Sequence, residues 1–534
     1  MSFVAPPPWP ILLIALPLLT ALPAFLLPRL ARWWGLATMV GILLLLGLLT
    51  PLVEPGATLS YPLGGWPAEL GIGLAVDGLS LWLLWLAAVV NIAVGLYSWR
   101  YFDPAGAGAW FVPLWLLLWA AFNGLLLSAD LFNLYVGMEL LGLAAVCLVA
   151  LAGTATARRA ALRYLLLNIF GSFCFLLAVV LIYRQTASLN LALFAELTAP
   201  DPLVRLALAL LSLGLIIKSA LFPLHFWLPP AHASAPAPVS ALLSALVVKA
   251  SLYLLLRIWL PLWENSALEL AAFFQLFGWL GAAAVLWGSI QALRCEKVKE
   301  LIAYSTVAQM GYLFLVFPLL AAPAPATAVY GLIFILAGHA LAKTALFLAA
   351  GTAQRVRRQR HPEADGPLLI ADLRGLSQSL PLTAFTVALG AVILMGLPPS
   401  GGFIGKWYLL RAALAANQWW WLIVIIGGSF LTMAYLLRPV ALTFALEEER
   451  SGRGPSAAEI AALASLRLWR ACDIELPAAG AAPAGPARCR TADRLLEWPG
   501  FILALAGIAL GLFPWLILNA LGGGLAASLA GGGP

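Results

Sequence analysis

The chain has 534 residues, of which 63% are hydrophobic and only 10% charged, with a formal net charge of +7. A water-soluble domain carries about 25% charged residues, so this composition excludes an ordinary soluble fold and points to a chain solvated mostly by lipid. The positive balance does not indicate a nucleic-acid partner, because the basic residues lie in short loops between apolar runs rather than on one soluble face.

In chain order, fourteen apolar segments follow one another: 11–27, 34–52, 76–98, 110–127, 130–152, 160–183, 203–229, 236–261, 268–290, 301–319, 325–350, 381–413, 418–444 and 497–522. Runs of roughly 20 apolar residues are long enough to span a bilayer. The first segment has no basic residue before it and no small-residue cleavage site, so it reads as a retained helix rather than a signal peptide. One set of loops holds Arg29, Arg32, Arg100, Arg158, Arg159, Arg163, Arg294, Lys297, Lys299, the run from Arg355 to Arg374, and seven arginines from Arg450 to Arg494. The opposite set holds little beyond Arg184 and Arg205, with Arg257 and Arg411 near it. Basic loops mark the cytoplasmic side. An even number of spans then leaves both termini outside, in a bacterial-type inner membrane. The two long cytoplasmic connections, 352–380 and the Ala/Pro/Gly-rich 445–496, carry no recognisable chemistry.

A few ionisable residues fall inside the apolar segments. Glu139 lies in the fifth, Lys218 in the seventh, Lys249 in the eighth, His339 and Lys343 in the eleventh, and Lys406 in the twelfth. At 1.5 Å per residue, Glu139, Lys218 and Lys249 sit roughly 14–20 Å from the segment starts. His339 and Lys343 are four apart and share a helix face. An intramembrane charge costs about 2.5–3.5 kcal/mol on insertion scales, so this set is hard to explain as drift on a lipid face. Bland alternatives are snorkelling for Lys343 and Lys406, a static ion pair for Glu139, and a hydrogen-bonded core position for His339.

Two of these segments are also interrupted. Pro223 follows Lys218, and Pro398 and Pro399 precede Lys406. Proline removes a backbone donor and clashes with the preceding turn. The carbonyls it frees must be satisfied by protein or water, never by lipid. Grouping segments 4–8 and 9–13 as two sets of five puts the interrupted, lysine-bearing segment fourth in each set. Five is odd, so the second set enters from the opposite side, which predicts two inverted repeats. The organisation expected is three N-terminal helices (1–109), a first repeat (110–261), an inverted second repeat (268–444), a basic loop (445–496) and a last helix with its tail (497–534). The predicted fold class is therefore all-α and polytopic, with about fourteen transmembrane helices and two inverted five-helix repeats.

An amine in an apolar setting favours its neutral form, and a nearby carboxylate opposes this. A carboxylate that moves can thus switch a buried lysine between holding and releasing a proton. The chain predicts a relay that begins at Glu139 and Lys218 and continues through Lys249, His339 or Lys343, and Lys406, with water between. Other chemistry is absent from the sequence. The string GGFIGKW lacks the first glycine of a phosphate-binding loop and has Trp407 where Ser or Thr should hold magnesium. The five cysteines form no CxxC pair and no Cys/His ligand spacing. No cofactor and no metal are expected.

The strings LFNLYVGMELLGL, RYLLLNIFGSFCFLL, KSALFPLHFWLPPAHASAPAPVSALLSALVVK, KELIAYSTVAQMGYLFL, HALAKTALFLAAG and LPPSGGFIGKW carry a family likeness. Over about residues 75–445 the chain resembles the antiporter-like subunits of respiratory complex I and of Mrp-type cation/proton antiporters. The resemblance implies a fourteen-helix fold with two inverted repeats, and a coupling pair at Glu139 and Lys218. It further implies a relay lysine at Lys249, a connection at His339 and Lys343, a terminal lysine at Lys406, and a turn that includes His232. Implied partners are other membrane subunits of one complex, protons and Na+ or another cation. A D-type Mrp subunit is the favoured member. The short chain after the last segment disfavours the largest complex I subunit. A complex I-type NADH–quinone oxidoreductase subunit, or a related hydrogenase or carbon-uptake module, is the alternative; a stand-alone solute carrier and a structural scaffold fit less well.

Overall fold

The computed structural model of the chain describes residues 8–54, 56–65, 72–103, 106–191, 202–265, 271–320, 325–360, 366–446, 495–515 and 518. The basic stretch 447–494, with Cys472 and Cys489, and the tail 519–534 lie outside the described residues.

Apolar runs that cannot leave backbone groups bare in lipid must close their hydrogen bonds internally, as helices do. The first six helices are α1 (Trp9–Leu26), α2 (Ala31–Leu49), α3 (Gly78–Tyr101), α4 (Ala107–Leu127), α5 (Leu131–Ala150) and α6 (Ala155–Thr186). Three of their starts carry polar caps: Asp77 and Ser80 form a reciprocal capping box on α3, Asp130 accepts from the Asn133 amide, and Thr154 from the Ala157 amide. Between α2 and α3 a feature not expected from the sequence appears. Leu59–Pro62 and Gly73–Val76 pair as an antiparallel hairpin in the register Leu59↔Val76.

The seventh segment is broken as the prolines predict. Helix α7 (Pro202–Lys218) stops at Lys218, turns occupy 219–227 with a cis Phe222–Pro223 bond, and α8 (Leu228–Ser234) follows. The eighth segment is not a plain helix. Helix α9 (Ala237–Leu242) passes through a π-turn over Leu243–Val247 into α10 (Val248–Asn265). Then come α11 (Ala271–Arg294), α12 (Val298–Phe314), α13 (Val316–Leu320) and the 36-residue α14 (Pro325–Arg360). The twelfth segment splits into α15 (Pro381–Met395) and α16 (Gly401–Ala415), with a cis Pro398–Pro399 bond between them. Helices α17 (Trp420–Phe444) and α18 (Glu497–Leu512) complete the described chain.

Eleven helical stretches among the described residues are long and apolar enough to cross a membrane, and α15 and α18 are shorter apolar helices. The chain is a multi-pass membrane protein of almost wholly helical fold. Three of the fourteen apolar segments fall short of that length among the described residues: the two broken ones, where α7 has 17 residues and α15 and α16 have 15 each, and the last, where α18 has 16.

Burial separates the helices by role. The apolar window of Ala237–Leu262 and that of Pro325–Arg360 are 100% buried, against 33% for α1 and for α17. The segments that carry Lys249 and His339–Lys343 are thus the core, and α14 packs on α12, α15, α16 and α18. Glycines let two pairs of helices meet closely. A Cβ placed on Gly171 of α6 would lie 3.1 Å from the Gly214 carbonyl oxygen of α7, and one on Gly331 of α14 would lie 3.1 Å from that of Gly405 in α16. Small residues at such crossings are how helices associate where lipid supplies no hydrophobic drive.

Candidate functional site

The break after α7 builds the first part of the site. Helix α7 ends at Lys218, so the ammonium stands at a helix C-terminus, where the backbone dipole favours a cation. Its Nζ donates to Oε1 of Glu139 on α5 at 3.2 Å and to Oδ1 of Asn168 on α6 at 2.8 Å. Ser172 Oγ, one turn beyond Asn168, donates to the same Glu139 oxygen. Lys218 is 5% exposed and Glu139 22%, which leaves the carboxylate near the surface of the bundle. The carbonyl freed by the break at Ile217 accepts from Trp227 Nε1 at 3.0 Å, and the Trp227 ring stacks on Tyr164. Protein thus satisfies the freed backbone that the prolines require.

The second part is the buried centre. Lys249 Nζ donates to the Ser244 carbonyl. That carbonyl belongs to the π-turn, whose wider hydrogen-bond pattern leaves groups that an α-helix would use. Lys343 Nζ donates to the Ile302 carbonyl at 2.7 Å and to Ser305 Oγ, both on α12. His339 lies within electrostatic reach of Lys249, Lys343 and His232. The rings of His232 and His339 are buried, and none of their four nitrogens meets a protein partner among the described residues. His232 stacks on Phe347 at 5.0 Å.

The third part is the second break. Lys406, on α16, reaches back to the end of α15. Its Nζ donates to the Met395 carbonyl at 2.9 Å, the Leu394 carbonyl at 3.3 Å and Ser429 Oγ at 2.9 Å. It also stands 4.5 Å from the centre of the Tyr312 ring, a cation–π contact. Pro398 and Pro399 lie in the connection that permits this return.

Five of the six ionisable residues singled out from the sequence are therefore buried in the bundle, and the sixth, Glu139, is partly exposed. Snorkelling fails for Lys343 and Lys406, which are buried with every amine contact internal. One assignment is corrected. Lys299, read as a loop charge, is buried in the first turn of α12, where its Nζ donates to the Ala235 carbonyl. Asn168, Ser172 and Tyr312 are partners that sequence reasoning missed. Asn168 and Ser172 share one face of α6 at a four-residue spacing, a signal that polarity within the quoted RYLLLNIFGSFCFLL string could have provided. Among the described residues no three His, Cys, Asp or Glu side chains gather as metal ligands would.

Residues 128–432 match the family model described as NADH:quinone oxidoreductase/Mrp antiporter, TM. The N subunit of the NADH-quinone oxidoreductase of Desulforudis audaxviator is 37% identical over 443 residues, which cover 81% of this chain and 85% of that protein. The D-type member of the Na(+)/H(+) antiporter of Bacillus subtilis is 30% identical, with 83% and 88% covered. Among solved structures, a chain of the Mrp complex from Dietzia sp. DQ12-45-1b superposes with a TM-score of 0.83 at 26% identity, over 99% of this chain and 98% of that one. On a family match across more than half its length and a relative of this identity and coverage, the chain belongs to the NADH:quinone oxidoreductase/Mrp antiporter membrane family.

Proposed function

We propose that the chain is the proton-translocating membrane subunit of a multi-subunit cation/proton antiporter of the Mrp type. The observation that carries this reading is the Lys218–Glu139 ion pair at a helix break, continued inward by Lys249, His339, Lys343 and Lys406. An ammonium beside a carboxylate keeps its proton; parted from it in an apolar surrounding, it gives the proton up. Glu139 and Lys218 are the switch, Lys249 with His339 and Lys343 the central relay, and Lys406 the terminal site. Protons cross through these groups and intervening water, with no covalent chemistry and no cofactor in this chain. The reading includes fourteen crossings in two inverted repeats (110–261 and 268–444), with flanking parts 1–109 and 497–534. The basic loops, 445–496 among them, face the cytoplasm, and both termini lie outside a bacterial-type inner membrane. Partners are other membrane subunits of the same complex, and the exchanged ion is Na+ or another cation.

A second reading, the pump subunit of a complex I-type oxidoreductase, is favoured by the 37% identity to an N subunit of such an enzyme. Purification of the native complex separates the two: small multi-span antiporter subunits support the first, flavin and iron–sulfur subunits the second. The mechanism is tested by Lys218→Ala in the purified complex, reconstituted into vesicles with a trapped pH dye. Loss of a positioned proton-transfer group costs about 10²–10⁴-fold, and a loss of this order in proton flux is expected. Flux equal to that of the unsubstituted protein removes Lys218 from the path.

A further inference from the structure

Helices α12 and α17 face each other between Lys343 and Lys406, and each carries a polar stripe. On α12 it is Ser305, Gln309 and Tyr312; on α17 it is Ser429, Thr432 and Tyr435. Spacings of three and four place each triplet on one helix face. Ser305, Thr432, Tyr312 and Tyr435 are no more than 1% exposed, and Ser429 is half-buried. Phe, Val and Ala would fill the same space without burying oxygen, and a buried hydroxyl is costly unless it finds a partner.

We propose that Tyr435, Thr432 and Tyr312 form a hydroxyl bridge that carries protons between Lys343 and Lys406. The inference rests on the relay reading and names its second half. The row begins where Lys343 Nζ donates to Ser305 Oγ. The Tyr435 hydroxyl lies in interaction range of Ser305 and Gln309 and donates to Thr432 Oγ1 at 3.5 Å. The Tyr312 hydroxyl lies in range of Thr432 and Ser429 and makes no hydrogen bond among the described residues. The row ends where Lys406 Nζ donates to Ser429 Oγ at 2.9 Å.

The step balances without a co-reactant. The Lys343 ammonium releases one proton to Ser305. At rest the O–H groups of Ser305, Thr432 and Ser429 donate to the Ile302, Gly428 and Ile425 carbonyls; each turns from there into the row, and each hydroxyl oxygen in turn accepts one proton and passes on its own. The neutral amine of Lys406 takes up the last and becomes an ammonium. Every hydroxyl is neutral at the end, and rotation of its O–H bond resets it.

The test uses the native complex in vesicles with a trapped pH dye, together with the melting temperature of each variant. Tyr435→Phe and Thr432→Val remove a hydroxyl while keeping the shape, and each is expected to lower proton flux roughly tenfold or more with melting unchanged. Thr432→Ser restores the oxygen and is expected to restore flux. Tyr97→Phe removes a buried hydroxyl that bonds the Leu348 carbonyl far from this row and is expected to leave flux unchanged. If Tyr435→Phe fails to assemble, the Val and Ser variants of Thr432 decide. Undiminished flux in Thr432→Val overturns the bridge. If Lys218→Ala abolishes flux while Tyr435→Phe and Thr432→Val do not, the relay stands and only this route is wrong. If Lys218→Ala is also without effect, the relay reading itself falls.

Discussion

The two broken segments solve the same problem in different ways. Each brings a lysine to the edge of a proline-interrupted helix, and each lysine is buried. Lys218 is held by side chains on other helices, Glu139 on α5 and Asn168 on α6. Lys406 is held largely by main chain, the Leu394 and Met395 carbonyls at the end of α15, with Ser429 as its one side-chain acceptor among the described residues. A side-chain carboxylate on a neighbouring helix can withdraw when helices shift. Backbone carbonyls at the lysine's own break cannot withdraw unless that break is remodelled. This difference agrees with the switch and the terminal station proposed for the two lysines.

The largest test of this contrast is Glu139→Ala. Removing one partner of a buried pair leaves an uncompensated charge and costs about 3–5 kcal/mol; the partial exposure of Glu139 puts the expected loss at the lower end. It is read as a fall in the melting temperature of the complex. Lys406→Met is next. It removes a buried charge together with its solvation cost, and that relief offsets most of the charge-assisted bonds, about 1.5–3 kcal/mol each, that the carbonyls lose. The expected fall in melting temperature is smaller than that for Glu139→Ala. Equal losses from the two variants would break the distinction drawn here. The glycine crossings come third. Gly171→Ala and Gly331→Ala each push a methyl against a facing carbonyl, and overpacking of this kind costs about 1–3 kcal/mol. Both are expected to lower melting, and tolerance of either shows that its crossing can open.

The smallest effect sharpens the contrast by supplying a static pair for reference. Asp77, the N-cap just before the apolar span Gly78–Tyr101 of α3, binds Arg257 of α10. Burial pushes its carboxyl up, but the Arg257 guanidinium and the Ser80 hydrogen bonds outweigh that and hold it below the usual carboxylate range. A carboxyl lowered on folding contributes stability that is complete above its unfolded value and is lost as pH falls through the folded one. The melting temperature of the complex should therefore decline at acid pH, below the ordinary titration of aspartate, and Asp77→Asn should remove that part of the decline. At neutral pH the substitution should cost about 1–2 kcal/mol and leave proton flux unchanged. A loss of flux would show that this pair is not static.

Much of the site was legible in the residues themselves. An ammonium or carboxylate in an apolar run is expensive wherever it points, so Glu139, Lys218, Lys249, Lys343 and Lys406 stand out from residue type and position alone. Pro223, Pro398 and Pro399 stand out because a missing donor breaks a helix locally. The π-turn before Lys249 did not announce itself, since nothing in LLSALVV departs from an ordinary helical run. Lys299 was misread because a lysine in a basic connection looks the same whether it faces water or turns inward to the Ala235 carbonyl. The hairpin at 59–76 was missed because two four-residue strands carry too short a pattern to stand apart from a loop.

The sequence by itself determined that the chain lives in a membrane, that its charges are few and deep, and where its helices break. Those properties follow from the cost of polar groups in lipid and from the covalent chemistry of proline, both local to a residue and its neighbours. Only the tertiary structure decided that Lys218 meets a carboxylate while Lys406 meets carbonyls, and that the stripes of α12 and α17 face one another. Such partners are set by how helices far apart in the chain pack and rotate, and close approaches such as those at Gly171 and Gly331 fix that rotation.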